Sequence, residues 1–339
     1  MNRKVLVTGA GGFIGHHLVN YLKARGYWVR GVDIKHPEYE VTTADEFELL
    51  DLRRWPNCLQ AVRGVDQVYN LAANMGGIGF IETHKAEIVH DNILINIHML
   101  EAARLNGIER YLYTSSACIY PGYRQNTTDV APLKEEDAYP ADAEDGYGWE
   151  KLYSERACRH YHEDYGLNTH SVRFHNIFGP KGSYDGGREK SPAASCRKIA
   201  LANQNDVIEV WGDGNQTRSY CYIDDCVEGI YRLMQSDHHD PLNLGQDRLI
   251  SVNELVAMVA RIAAKNIHKR YDLTKPQGVR GRNSDNTRLR QVLKWEPQIT
   301  LEEGLERTYR WIYDQLVQAG RISSPEPTAV RLPEALLQV

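Results

Sequence analysis

Four side chains in this sequence have the types and spacing of a proton-transfer set: Ser116, Cys118, Tyr147 and Lys151. Tyr147 and Lys151 stand at i and i+4, which places them on one face of a helix. A free phenol ionises near pH ~10, so a base working near neutrality needs a cation beside it. Lys151, one turn away, is positioned to be that cation. Ser116 lies in Thr114-Ser115-Ser116-Ala117-Cys118-Ile119-Tyr120, directly after an apolar stretch, 111–114, that reads as a strand. Its hydroxyl then stands at the carboxyl edge of a sheet, where it would donate to the oxygen that Tyr147 deprotonates. Such a set moves a proton while a redox cofactor takes a hydride. Cys118 is the unusual member. A cysteine at a strand end is most often a small buried hydrophobe, and Tyr/Lys pairs occur on many helices, so the weight rests on the elements that hold these residues.

The first strand, 4–8, runs into Gly9-Ala10-Gly11-Gly12-Phe13-Ile14-Gly15 and then an amphipathic helix, 16–25. Strand, glycine turn and helix in that order are the context a dinucleotide-binding turn needs, with the pyrophosphate on the helix N-terminus. The second strand, 27–32, ends in Asp33, about 20 residues past the turn, where an acid binds the ribose. An acid there favours NAD over NADP, although Arg30 and Lys35 are close. Asp51 and Leu52 follow a strand at 46–50; Asp51 reads equally as the adenine edge or as an ordinary strand-end carboxylate. A buried strand at 67–72, containing Leu71, leads into the glycine-rich loop 74–80, which includes Gly76. A long helix, 87–106, then delivers the chain to the strand that precedes Ser116. An acidic loop, 142–147, precedes the helix 148–165, and a strand at 168–174 is followed by His175-Asn176. Strands and helices alternate strictly over about 175 residues, the signature of a doubly wound, Rossmann-type parallel sheet.

Past Pro180 the pattern changes. Ser191-Pro192 reads as a helix N-cap with proline at the first position. Strands are expected at 207–211 and 217–223 about Gly212-Asp213-Gly214, and a short one at 241–244, with helices at 225–235, 251–265, 287–293 and 301–318. The basic, glycine-bearing loop 278–285 suits a diphosphate. The reading is a Rossmann domain of residues 1–176 with roughly 219–245, and a smaller C-terminal α/β domain, 177–218 with 246–322, that binds substrate. Residues 323–339 read as an extended tail with a short turn at 333–337. The 40 basic and 45 acidic residues are interspersed, for a formal charge of −5, so nothing marks a nucleic-acid stripe. The start is too short in its apolar part for a signal peptide, no run approaches a membrane span, and six cysteines without metal-ligand spacing point to a reducing cytoplasm. His160 and His162 stand at i and i+2, on different faces, and no metal is expected.

The Gly9–Gly15 turn, Asp33, Ser115-Ser116, the Tyr147/Lys151 pair and Asn176-x-x-Gly179-Pro180 together resemble the extended short-chain dehydrogenase/reductase superfamily, in its nucleotide-sugar epimerase and dehydratase branch. Five further stretches resemble the GDP-mannose 3,5-epimerase family: Ser115 to Tyr120, Met75 to Phe80, Gly186 to Lys190, Trp211 to Gly214 with Gln216 to Arg218, and Val279 to Asp285. Asn74 departs from the Asp expected there. The resemblance implies a tightly held NAD contacted by Gly9, Gly12, Phe13, Ile14, Gly15, Asp33, Asp51, Leu52, Leu71, Tyr147 and Lys151. It implies that NAD oxidises the hexose of a GDP-sugar at C4, so that C3 and C5 become acidic. By family position Cys118 and Lys190 are the acid/base pair flanking the ring. Lys190 would be tuned down by the helix N-terminus that follows it, and Cys118 by neighbouring cations. Gly76, Ser116, Asn176 and Lys190 would hold the hexose, and Arg218 and Arg282 the diphosphate. A homodimer is implied as well. Two other readings stay open: an epimerase of another nucleotide sugar acting at C4 or C5 alone, and a silent NAD(H) sensor on the same fold.

Overall fold

Alternate residues of the first strand enter two different cores. The structure, a computed structural model, describes residues 3–323. In β1 (Lys4–Thr8), Val5 and Val7 join a cluster with Leu18, Tyr69, Leu112, Val172 and Ile230, whereas Leu6 joins Val68, Met99, Tyr111 and Tyr113 on the opposite face. A strand buried on both faces needs helices on both sides, which parallel βαβ connections provide.

Chain order delivers those elements. α1 (Phe13–Ala24), β2 (Trp28–Asp33), β3 (Glu46–Leu49), α2 (Trp55–Ala61), β4 (Gln67–Asn70), α3 (Ile78–Thr83), α4 (Lys85–Leu105), β5 (Arg110–Ser116), α5 (Asp145–Tyr165) and β6 (Thr169–Phe174) build the first half. Then come β7 (Ile177–Phe178), α6 (Ser191–Leu201), β8 (Val207–Trp211), β9 (Thr217–Arg218), β10 (Cys221–Tyr222), α7 (Ile223–Gln235) and β11 (Leu242–Leu244). The chain closes with β12 (Ile250–Ser251), α8 (Val252–Ile262), β13 (His268–Asp272), β14 (Gly281–Arg282), α9 (Thr287–Leu293) and α10 (Leu301–Gln318).

The main sheet has seven parallel strands in the order β11-β6-β5-β4-β1-β2-β3. Strand order reverses between β1 and β4, and the crevice at such a switch point is where ligands bind in doubly wound sheets. Thr8 fastens the two carboxyl ends there. Its hydroxyl donates to Asn70 Oδ1 (2.8 Å) and accepts from the N–H groups of Leu71 (3.0 Å) and Ala72 (3.1 Å).

Several sequence-based boundaries need correction. α1 begins at Phe13 rather than residue 16, because Gly12 caps it with extended backbone. The glycine-rich loop is half helical, with α3 following Gly77. α5 begins at Asp145, so Tyr147 sits in its first turn rather than in a loop. The strand expected over 217–223 is split: β9 pairs with β12 and β14, β10 pairs with β7, and Ile223 already opens α7. β8 pairs with β13, a strand the sequence did not signal because its His268-Lys269-Arg270 run is polar. Ser191 is not the cap of α6. Lys190 occupies that position, and the Ser191 hydroxyl is hydrogen-bonded to Tyr220 Oη at 2.9 Å. The expected tail past residue 323, with its turn at 333–337, lies outside the described residues. Among the described residues no helix is long and apolar enough to cross a membrane, and no group of His, Cys, Asp or Glu is arranged to hold a metal ion.

Candidate active site

A cavity of about 1010 Å³ opens at the carboxyl ends of the main-sheet strands. Gly9, Gly12, Phe13, Ile14, Gly15, Asp33, Asp51, Leu52, Leu71, Gly76, Ser116, Cys118, Tyr147, Lys151, Asn176, Lys190, Arg218 and Arg282 all line it. The fold thus brings every candidate residue to one place.

One end is the glycine turn. A Cβ on Gly15 would lie 2.0 Å from the Gly9 carbonyl oxygen, so the helix can approach the strand only with that position bare. Gly11, which the sequence reading passed over, is as constrained: a Cβ there would lie 2.1 Å from the Lys35 carbonyl oxygen. Its N–H donates to Asp33 Oδ2 at 2.9 Å, and Asp33 Oδ1 accepts from the N–H groups of Ile34 (2.7 Å) and Lys35 (3.3 Å). Burial pushes the Asp33 carboxyl up, against those three bonds. Arg30 turns away from the cavity to Glu46 (2.9 Å) and the carbonyls of Ala61 and Arg63. Asp51 is gripped by Arg53, which also reaches Asp91 at 3.0 Å. Asn74 donates to Glu87 Oε1 (3.2 Å) and Asp91 Oδ2 (3.3 Å), so the Asp expected there would face two carboxylates.

The other end carries the proton-transfer groups. Ser116 ends β5, and its Oγ accepts from the Cys118 N–H at 3.2 Å, starting the 3₁₀ turn Ala117–Ile119 that turns Cys118 into the cavity. Ser116 also acts on the Tyr147 phenol, drawing it down. Lys151 Nζ donates to Thr114 O at 3.0 Å and lies 5.6 Å from the Tyr147 ring centroid. Burial draws the Lys151 ammonium below its ordinary value, opposed chiefly by Glu150, whose Oε1 is 3.8 Å away. The Tyr147 phenol was expected to be lowered by its lysine. It stands well above its ordinary value instead, because burial dominates and Cys118 and Glu150 add negative potential. Cys118 was likewise expected to be drawn down, but burial and Glu144 push the thiol up, outweighing Arg282. Lys190 is lowered as expected, although the leading cause is desolvation by the cleft walls rather than the helix terminus.

Asn176, at φ +45, donates to the Ser219 carbonyl at 2.9 Å. Arg218 is held by the carbonyls of Thr217 (2.8 Å) and Gln277 (3.4 Å), and burial with the neighbouring Arg282 lowers it to about 10. Arg282 donates to Gln125 Oε1 (2.6 Å), Glu144 Oε2 (2.7 Å) and Cys118 Sγ (3.5 Å). Lys198, unmarked in sequence, also lines the cavity while its Nζ donates to Glu209 O at 2.7 Å. The segments around Gly76 and Lys190 clasp each other across the cleft. The Gly77 N–H donates to Arg188 O (3.0 Å), and the Arg188 guanidinium donates to Met75 O (3.2 Å) and lies 3.9 Å from the Phe80 ring centroid.

Residues 5–245 match the model of the NAD dependent epimerase/dehydratase family. The chain belongs to that family. Among members of known activity, the GDP-mannose 3,5-epimerase of Arabidopsis thaliana is 49% identical over 317 residues, covering 93% of this chain and 83% of that protein. GDP-mannose 3,5-epimerase 1 of Oryza sativa subsp. japonica is 47% identical over 315 residues, 92% of this chain and 82% of that protein. Of solved structures, the UDP-glucose 4-epimerase of Thermotoga maritima superposes with a TM-score of 0.84 at 25% identity, over 92% of this chain and 99% of that one. The Thermus thermophilus UDP-glucose 4-epimerase, in complex with NAD, gives 0.81 at 23% over 91% and 98%. Within this epimerase/dehydratase family the cofactor is NAD, and the glycine turn fits it. The turn is bare of side chains, the first-turn N–H groups of α1 at Phe13 and Ile14 have no acceptor within the helix, and Asp33 stands at the end of β2.

Proposed function

We propose that this protein inverts GDP-D-mannose at C3 and C5 to give GDP-L-galactose, releasing GDP-L-gulose when C5 alone inverts. The observation that carries the reading is the meeting of Cys118 and Lys190 with Ser116, Tyr147 and Lys151 on one cavity, in a chain 49% identical to a GDP-mannose 3,5-epimerase.

The glycine turn, Asp33, Asp51, Leu52, Leu71, Tyr147 and Lys151 would hold NAD, which when bound would supply the reversible electron acceptor for C4 and a positive charge beside Tyr147. Ser116 donates to the C4 oxygen while Tyr147 takes the hydroxyl proton, with Lys151 favouring the phenolate by its charge. The ketone at C4 then acidifies C3 and C5. Inversion removes a proton from one face of the ring and delivers one to the other, so two exchanging groups must flank it. A thiol and an amine whose ordinary pKa values are brought toward each other by the cleft meet that need, and Cys118 and Lys190 are assigned to it. Gly76 and Asn176 position the hexose, and Arg218 with Arg282 faces the diphosphate. Net charge and redox state are unchanged by the cycle.

In this reading residues 1–176 with roughly 219–245 form the NAD-binding unit, and 177–218 with 246–322 form the substrate unit. The return of β11 to the main sheet supports that division. Exposed Trp149 and Tyr153 on the outer face of α5 support a homodimer, and six unpaired cysteines support a cytoplasmic setting.

Incubation with GDP-D-mannose in D₂O, followed by proton NMR of the ring, tests the activity. Loss of the H3 and H5 signals with new L-sugar resonances is expected. Exchange at neither carbon would overturn the reading, and exchange at H5 alone would narrow it to a C5 epimerase.

A further inference from the structure

Glu144 is an acid in the catalytic cleft that neither the glycine turn nor the proton-transfer set requires. It caps α5, and its backbone N–H donates to the Cys118 carbonyl at 2.8 Å, which brings its side chain to the thiol. Its carboxylate lines the cavity, acts on the Cys118 thiol by its charge, and accepts from Arg282 Nη2 at 2.7 Å. Arg282 meanwhile turns Nη1 toward Cys118 Sγ at 3.5 Å. The thiol therefore sits between one anion and one cation that are bonded to each other.

We propose that Glu144 is a positioning residue that keeps Cys118 in its thiol form at rest, so that the proton shared by the acid/base pair resides on sulfur rather than on Lys190. The proposal rests on the role given to Cys118 above. Without Glu144, Arg282 would face the sulfur with no counter-charge and would favour thiolate. The other groups around the sulfur leave this assignment in place. Ser116 Oγ accepts from the Cys118 backbone N–H, and its hydroxyl draws the thiol down rather than up; Tyr147 is protonated at rest. Lys151 and Arg218 are further cations on the cavity wall and favour thiolate, as Lys190 does whenever it carries the proton, so none of them supplies the effect assigned to Glu144. Burial of the sulfur also favours the thiol, and it is common to every Glu144 variant.

The test is the pH dependence of Cys118 alkylation by iodoacetamide in the full-length protein, followed by mass spectrometry of the peptide containing Cys118. Cys118→Ala identifies the signal, since the other five cysteines are buried. In the unsubstituted protein the midpoint should lie above the ~8.5 of a free cysteine; a midpoint at or below that value overturns the proposal. Glu144→Gln and Glu144→Ala should each lower the midpoint by about one pH unit, an increase of about tenfold in reactivity at neutral pH. Glu144→Asp, which keeps the charge, should stay near the unsubstituted value. Unchanged midpoints in Gln and Ala, or a drop in Asp equal to that in Gln, would also overturn it. None of these readouts needs turnover, so a protein that shows them without exchanging H3 and H5 of GDP-D-mannose would refute the substrate assignment alone.

Discussion

The Nζ of Lys151 donates to the carbonyl oxygen of Thr114 at 3.0 Å, tying the helix that carries Tyr147 to the strand that ends in Ser116. Because that bond fixes the ammonium 5.6 Å from the phenol ring, Lys151 acts on Tyr147 through charge.

Lys151→Met should therefore lower turnover of GDP-D-mannose by roughly 10²–10⁴-fold, and Tyr147→Phe should do the same. Binding of GDP-D-mannose, followed by calorimetry, should fall much less than the rate, because neither residue is placed on the diphosphate. A parallel loss of binding would show that they hold substrate rather than act on it.

Cys118→Ala and Lys190→Ala should each abolish deuterium incorporation at C3 and C5, while oxidation at C4 survives as absorbance of reduced NAD near ~340 nm on adding substrate. Full exchange in either variant would remove that residue from the acid/base pair.

Gly15→Ala should yield protein that no longer retains NAD, since the new Cβ would meet the Gly9 carbonyl oxygen at 2.0 Å. Gly26→Ala is the control. Gly26 has φ +81 but open space around it, so the cost is strain alone, on the order of 1–2 kcal/mol. Absorbance ratios of the purified proteins report the cofactor content, and urea unfolding reports the strain.

Arg173 and Glu155 form a doubly bonded ion pair (2.9 and 2.8 Å) with both side chains 3% exposed, behind the site. Arg173→Met should cost about 3–5 kcal/mol in urea unfolding, because it strands a buried carboxylate. Adding Glu155→Leu should recover part of that loss; the bonds from Arg173 to Tyr120 and Glu135 would remain missing.

Acid should destabilise the fold before it titrates most carboxylates. Burial lowers His170 to about 4 and His175 to about 3. The unfolded chain binds protons on these imidazoles near ~6.5, whereas the folded chain refuses them until much lower pH, so stability falls as pH drops from about 6.5 toward 4. Below about 3 neither group contributes further slope. Unfolding midpoints measured between pH 7 and 4 should decline, and His170→Gln should flatten the decline.

Local pattern determined the first half of this protein in advance. Glycine spacing, strand-helix alternation and the Tyr147/Lys151 interval are encoded within a few residues of one another, and each implies its element without knowledge of the rest of the chain. The family resemblance added Lys190, Arg218 and Arg282 to the same site, and all three line the cavity. Short-range pattern merged β9 and β10 into one expected strand and did not reveal β13 or β14, because β14 is two residues long and β13 is polar, too little periodicity to register.

Only the tertiary structure decided the electrostatics. Arg282 reaches Glu144 across 138 residues and Cys118 across 164, and no spacing rule spans such distances. Burial, joined by Glu144 at the Cys118 thiol and by Cys118 and Glu150 at the Tyr147 phenol, holds both above their ordinary values, against the pull of Arg282 on the sulfur. Residue type and order determined which groups enter the cleft. Their protonation follows from how much water the fold removes and which charges it brings within a few ångströms.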